Sequence, residues 1–99
     1  MTPANQLLDA SSSAAANYRA AGRARSKKEF TAKLGIANEE ADETVYWLDY
    51  IVNTGLEHGL DLPPLQKEAR EVRAIIAASY ATARRNQRRK RDKAKGDAS

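Results

Sequence analysis

Ser26-Lys27-Lys28-Glu29-Phe30-Thr31-Ala32-Lys33-Leu34-Gly35-Ile36-Ala37-Asn38-Glu39-Glu40-Ala41-Asp42-Glu43-Thr44-Val45-Tyr46-Trp47-Leu48-Asp49-Tyr50-Ile51-Val52 is the most strongly patterned run of the chain. Its first four residues fit a capping box, in which the Ser26 hydroxyl takes an orphan backbone N–H and Glu29 reaches back to the Ser26 N–H. Phe30, Leu34, Ala37, Ala41, Val45, Leu48, Ile51 and Val52 then recur at steps of three and four, the period of a helix with an apolar face. The stripe fades near Leu56, and Gly55 and Gly59 are candidate terminators. A helix of about 28–30 residues is a rod of roughly 40–45 Å. Gly35 inside the stripe costs about 1 kcal/mol relative to alanine, which a closely crossing helix explains.

Upstream, Thr2 is placed to cap a first helix, with Pro3 at the first helical position, where its missing N–H costs nothing. Leu7, Leu8, Ser11, Ala15, Tyr18 and Ala21 form that helix's expected face, and Gly22 is its expected left-handed stop. Downstream, Asp61-Leu62-Pro63-Pro64 breaks the chain, so a third helix should begin near Pro63 or Pro64. Leu65, Ala69, Val72, Ile75, Ile76, Ser79, Tyr80 and Ala83 form its expected face, which is lost beyond Arg84. No segment alternates apolar and polar residues with period two. The chain reads as all-α, a helical bundle domain over residues 1–83 followed by a basic tail over 84–99.

Charge is polarised along the chain of 99 residues and net +4. From Arg84 onward, Arg84, Arg85, Arg88, Arg89, Lys90, Arg91, Lys93 and Lys95 face only Asp92 and Asp97, a net of +6. Arg19, Arg23, Arg25, Lys27, Lys28 and Lys33 cluster around the first connection. Residues 34–66 hold no Lys or Arg but carry Glu39, Glu40, Asp42, Glu43, Asp49, Glu57 and Asp61. Dense Lys and Arg attract polyanions by releasing counterions. Arg19, Arg23, Arg25, Lys27 and Lys28, with the tail from Arg84 to Arg91, are therefore candidate contacts to RNA or DNA. No aromatic is interleaved with the tail, so the expected binding is weak, salt-dependent and without base specificity. The competing readings are a solvated helix end, or a protein-interaction scaffold in which Glu39, Glu40, Asp42 and Glu43 meet Arg23, Arg25 and Lys27 of a neighbour.

Enzymatic chemistry is not indicated. The chain has no Cys, hence no disulfide framework and no thiolate zinc site. It shows no Gly-rich phosphate loop and no His-Glu metal motif. His58 is the only His, beside Glu57 at the expected end of the second helix, where a cation suits the helix dipole. No catalytic residue, metal or cofactor is expected. No apolar run reaches membrane-spanning length and no secretory signal opens the chain, so the expected location is the cytoplasm. Tyr46, Trp47 and Tyr50 widen the apolar surface of the second helix beyond one stripe, and a helix apolar on more than one side needs more than one cover. These three are the expected interface of a homo-oligomer.

The block Ala15-Ala16-Asn17-Tyr18-Arg19-Ala20-Ala21-Gly22-Arg23-Ala24-Arg25-Ser26-Lys27-Lys28-Glu29-Phe30 resembles the signature of a four-helix-bundle family, the proteins encoded in intervening sequences of bacterial 23S ribosomal RNA genes. Lys33 to Thr44 continues the likeness, and Ala83-Arg84-Arg85 is similar to the family's basic end. The resemblance implies an antiparallel up-down bundle assembling into a ring, typically a homopentamer. Accessory proteins of diversity-generating retroelements are similar, and imply a second role as a partner of nucleic acid or of a reverse transcriptase. No segment upstream of residues 1–20 matches the family's first helix, so the expectation is either a chain that starts late or a three-helix variant.

Overall fold

The computed structural model describes residues 2–55 and 62–98, with side chains through residue 96. Three helices follow in order: α1 (Pro3–Ala21), α2 (Lys27–Thr54) and α3 (Leu62–Ala98), with no strand among the described residues. The expected roles of Leu56, His58 and Gly59 lie outside the described residues.

The helix starts follow local chemistry. Thr2 is extended and its hydroxyl accepts the Asn5 N–H at 3.1 Å, with Pro3 at the first position. Ser26 is extended and its hydroxyl accepts the Glu29 N–H at 3.0 Å. The Glu29 carboxylate accepts the Arg25 N–H at 3.4 Å rather than that of Ser26, one residue upstream of the expected box. Ser26→Ala should cost about 1 kcal/mol, read as a fall of roughly 4–8 °C in the midpoint of thermal unfolding.

The ends differ more from expectation. Gly55 has φ +69° and donates its N–H to Ile51 and Val52, the left-handed stop the sequence suggests. Gly22 is right-handed, at φ −64° and ψ −16°. Helical bonding runs past it, with the Arg23 N–H on Ala20 and the Ala24 N–H on Ala21, each at 3.1 Å, so no left-handed residue is needed there. α3 begins at Leu62, and both prolines sit in its first turn, where the backbone N–H groups have no helical partner.

α2 is the centre, and α1 and α3 pack principally on it rather than on each other. Gly35 lies against Tyr80, Asp42 near Arg73 and Asp49 against Arg70, so α2 and α3 run antiparallel. Arg70 donates to both Asp49 carboxylate oxygens at 2.7 and 2.8 Å, and Gln66 adds a bond at 2.8 Å. Both side chains of the ion pair are partly exposed, so it fixes register more than it adds stability, at ~1 kcal/mol or less. The crossing at Gly35 is close: a Cβ there would meet the Tyr80 ring at 3.1 Å. Gly35→Ala should therefore gain less than the ~1 kcal/mol that helix propensity offers, whereas the same change in a Tyr80→Ala background should gain it in full. Urea unfolding of the four chains measures the difference.

The core is thin and rich in alanine: Ala10, Ala14, Ala21, Leu34, Ala37, Ala41, Val45, Leu48, Leu62 and Ile76 are buried, with Thr31. The Thr31 hydroxyl is satisfied by donating to the Lys27 carbonyl at 2.9 Å.

Two expected faces are turned aside. In α1, of the expected set only Ala21 is buried, while Leu8 and Tyr18 are exposed and Ala10 and Ala14 touch the core instead. In α3, Ile76 is buried with Leu62, but Leu65, Val72 and Ile75 stand 46%, 46% and 59% exposed. The reason is close approach: α2 takes the small-residue side of α1 and the Leu62–Ile76 side of α3. The larger stripes beside them line an open groove of about 960 Å³, floored by Ala41, Thr44 and Leu48.

Candidate nucleic-acid interface

The antiparallel register carries the start of α2 alongside residues 80–87 of α3. Lys28 and Arg84 consequently line one hollow of about 410 Å³, together with Gly35, Glu39, Tyr80 and Gln87. Lys28 of the basic corner and Arg84 at the root of the basic tail, far apart in the sequence, thus share one hollow. Arg23, Arg25 and Lys27 are exposed, in the connection and at the first position of α2. Arg19, in the last turn of α1, lines the open groove instead. The N-terminal end of α2 adds the positive end of a helix dipole to the same region.

Tyr80 links the parts: its ring fills the space over Gly35, and the Arg84 guanidinium lies 5.5 Å from its centroid. That contact holds the first tail residue close to the bundle. Tyr80 is a positioning residue that charge patterning alone does not reveal. Its signal in the sequence is its spacing from Ile76, which puts it on the packed side of α3.

Beyond Gln87 the helix carries Arg88, Arg89, Lys90, Arg91, Lys93 and Lys95, all exposed. Successive side chains turn by 100°, so the cations ring the helix rather than forming one stripe. The molecule is 62 Å long and about 20 Å across, which gives this arm its reach. Guanidinium groups donate in pairs to phosphate oxygens.

Tyr46, Trp47 and Tyr50 lie farther along α2, on a side that neither neighbour covers fully. Tyr46 and Trp47 meet edge to face with centroids 4.9 Å apart, and Trp47 and Tyr50 at 5.5 Å. Tyr46 and Tyr50 are exposed and Trp47 is half-buried. Glu39 and Glu43 are exposed, and Asp42 turns to Arg73 at 3.8 Å within the chain. Among the described residues no group of His, Cys, Asp and Glu is placed to hold a metal ion, and no helix is long and apolar enough to cross a membrane.

The fold has a solved counterpart in a crystal structure of a protein of unknown function from the S23 ribosomal protein family of Bacteroides thetaiotaomicron. The two share 29% sequence identity over 81% of this chain and 74% of the other, with a TM-score of 0.73. None of the curated proteins matches the chain. The family pattern described as 23S rRNA-intervening sequence protein matches residues 2–78, which include the whole of α1 and α2 and the packed part of α3 through Ile76. The chain belongs to the 23S rRNA-intervening sequence protein family.

Proposed function

We propose that the chain is a non-catalytic cytoplasmic protein, built on the up-down plan of a four-helix bundle, that binds RNA or DNA without sequence preference and works as an assembly of copies. The observation that carries the reading is the meeting of Lys28 and Arg84 in one hollow. In this reading the exposed Arg23, Arg25, Lys27, Lys28, Arg84 and Arg85 act together on phosphate, extended by the arm from Arg88 to Lys95. Arg19 adds charge at the edge. Tyr46, Trp47 and Tyr50 supply an aromatic surface for a neighbouring copy.

Fluorescence anisotropy with labelled single-stranded RNA tests this reading. A surface that neutralises about six phosphates of a single strand loses roughly three hundredfold in affinity between 50 and 200 mM salt. Absence of binding at 50 mM salt rules the reading out.

A second reading is favoured by the side of α2 where Glu39 and Glu43 stand exposed near Tyr46 and Tyr50. Carboxylates beside aromatics repel phosphate and suit a protein surface, as in an accessory subunit that holds a partner without touching nucleic acid. Under it, the same titration shows no binding while the chain still captures a protein.

A further inference from the structure

We propose that the hollow between the start of α2 and residues 80–87 of α3 seats one guanine nucleotide, with its phosphate on Lys28 and Arg84 and its base edge on the Glu39 carboxylate. Two facing stripes make the hollow. Positions 28, 32, 35 and 39 of α2 step by three and four, as do positions 80, 84 and 87 of α3, so each set shares one helix face. Gly35 lies against Tyr80, and the antiparallel register sets Lys28 at the Gln87 end and Glu39 beyond Tyr80. Glu39 follows Lys28 by three turns, roughly 16 Å along the axis.

The hollow is therefore cationic at one end and anionic at the other, with Ala32, Ile36 and the Tyr80 ring between. Among the described residues no hydrogen bond or ion pair engages Lys28, Glu39 or Gln87. Arg84 rests on the Tyr80 ring, which leaves its N–H groups for a ligand. The volume of about 410 Å³ lies within the roughly 300–1,000 Å³ of small-molecule sites. Tyr80, Arg84 and Gln87 come from beyond residue 78, where the family pattern ends.

The matching ligand is anionic at one end, flat in the middle and a donor at the far edge. Lys28 and Arg84 donate charge-assisted bonds to phosphate, and the Gln87 amide adds a neutral donor. A carboxylate only accepts, so Glu39 selects the base edge whose donors stand side by side. Guanine presents N1–H next to its 2-amino group. Adenine and cytosine set an amino group beside an acceptor nitrogen, and uracil flanks its one N–H with two carbonyls. The selection is confined to the nucleotide in the hollow, and the arm from Arg88 onward stays indifferent to base. The inference goes beyond charge-driven strand binding and does not rest on it.

NMR titration of the full chain with 5′-GMP, 5′-AMP and guanosine at 50 mM salt tests the site. GMP should bind at least tenfold more tightly than AMP or guanosine, with amide shifts centred on residues 28–39 and 80–87. Glu39→Gln should bring GMP and AMP within about threefold of each other, and Arg84→Ala should weaken both about tenfold. Equal affinity for GMP and AMP, shifts confined to the arm from Arg88 to Lys95, or a preference that survives Glu39→Gln each overturns the proposal. A uridine strand carrying one guanosine, set against an all-uridine strand of equal length, separates two sources of the ligand. Tighter binding of the guanosine strand places the nucleotide within RNA, and a preference seen with GMP alone makes it a free nucleotide. Strand binding with no GMP binding removes this proposal and leaves the functional one. GMP binding with no strand binding does the reverse.

Discussion

Changing Arg84, Arg85, Arg88 and Arg89 together to glutamate is expected to lower RNA affinity at 50 mM salt by at least a thousandfold, with helicity unchanged. The four side chains are exposed, and beyond the Tyr80 contact of Arg84 they support no part of the core. Each phosphate contact removed takes about 0.7 unit from the slope of log affinity against log salt for a single strand. A variant lacking four contacts should therefore bind weakly and with a visibly shallower slope. The reversed charges also repel the backbone, which makes the loss larger than neutral replacement. Arg23→Glu with Arg25→Glu should give a smaller loss of the same kind, because those residues share the surface. Circular dichroism establishes that the fold is kept, and anisotropy at several salt concentrations gives the slopes. An unchanged affinity in the fourfold variant would mean that the arm is only a solvated helix end.

The second large effect is on stability. Leu34→Ala should cost about 3 kcal/mol or more, because it empties the most enclosed large side chain of a core otherwise built mainly from alanine. Small domains hold only ~5 kcal/mol in total. The variant should keep about 2 kcal/mol or less and melt roughly 12–24 °C below the parent. Leu8→Ala, at a position 63% exposed, should stay within about 0.5 kcal/mol of the parent. Thermal melts of the two variants make the comparison. Equal midpoints would show that Leu34 is not the keystone of the packing.

The long helix and its Ser26 start were legible because each is a local matter of caps and period, and Gly55, one of two candidate stops, is the one at its end. So was the Thr2 cap. What pattern alone does not yield is which neighbour covers an apolar stripe. Leu7, Ser11, Ala15 and Tyr18 in α1, and Leu65, Val72 and Ile75 in α3, read as core faces. They line the groove because α2 takes the alanine side of α1 and the Leu62–Ile76 side of α3. Periodicity reports a surface that needs cover, not which element supplies it.

The basic end was half legible. Both clusters are plain in the sequence, but their meeting depends on the antiparallel register fixed by Gly35 against Tyr80 and Asp49 against Arg70. No charge count contains that register. Gly35 was the useful clue, since a glycine inside a strong stripe marks where another helix comes close.

Three helices leave apolar surface uncovered in the groove and around Trp47. Light scattering of the full chain at low micromolar concentration, without nucleic acid, measures the consequence. The predicted mass is at least twice the 10.9 kDa of one chain. A well-folded species at 10.9 kDa would contradict it.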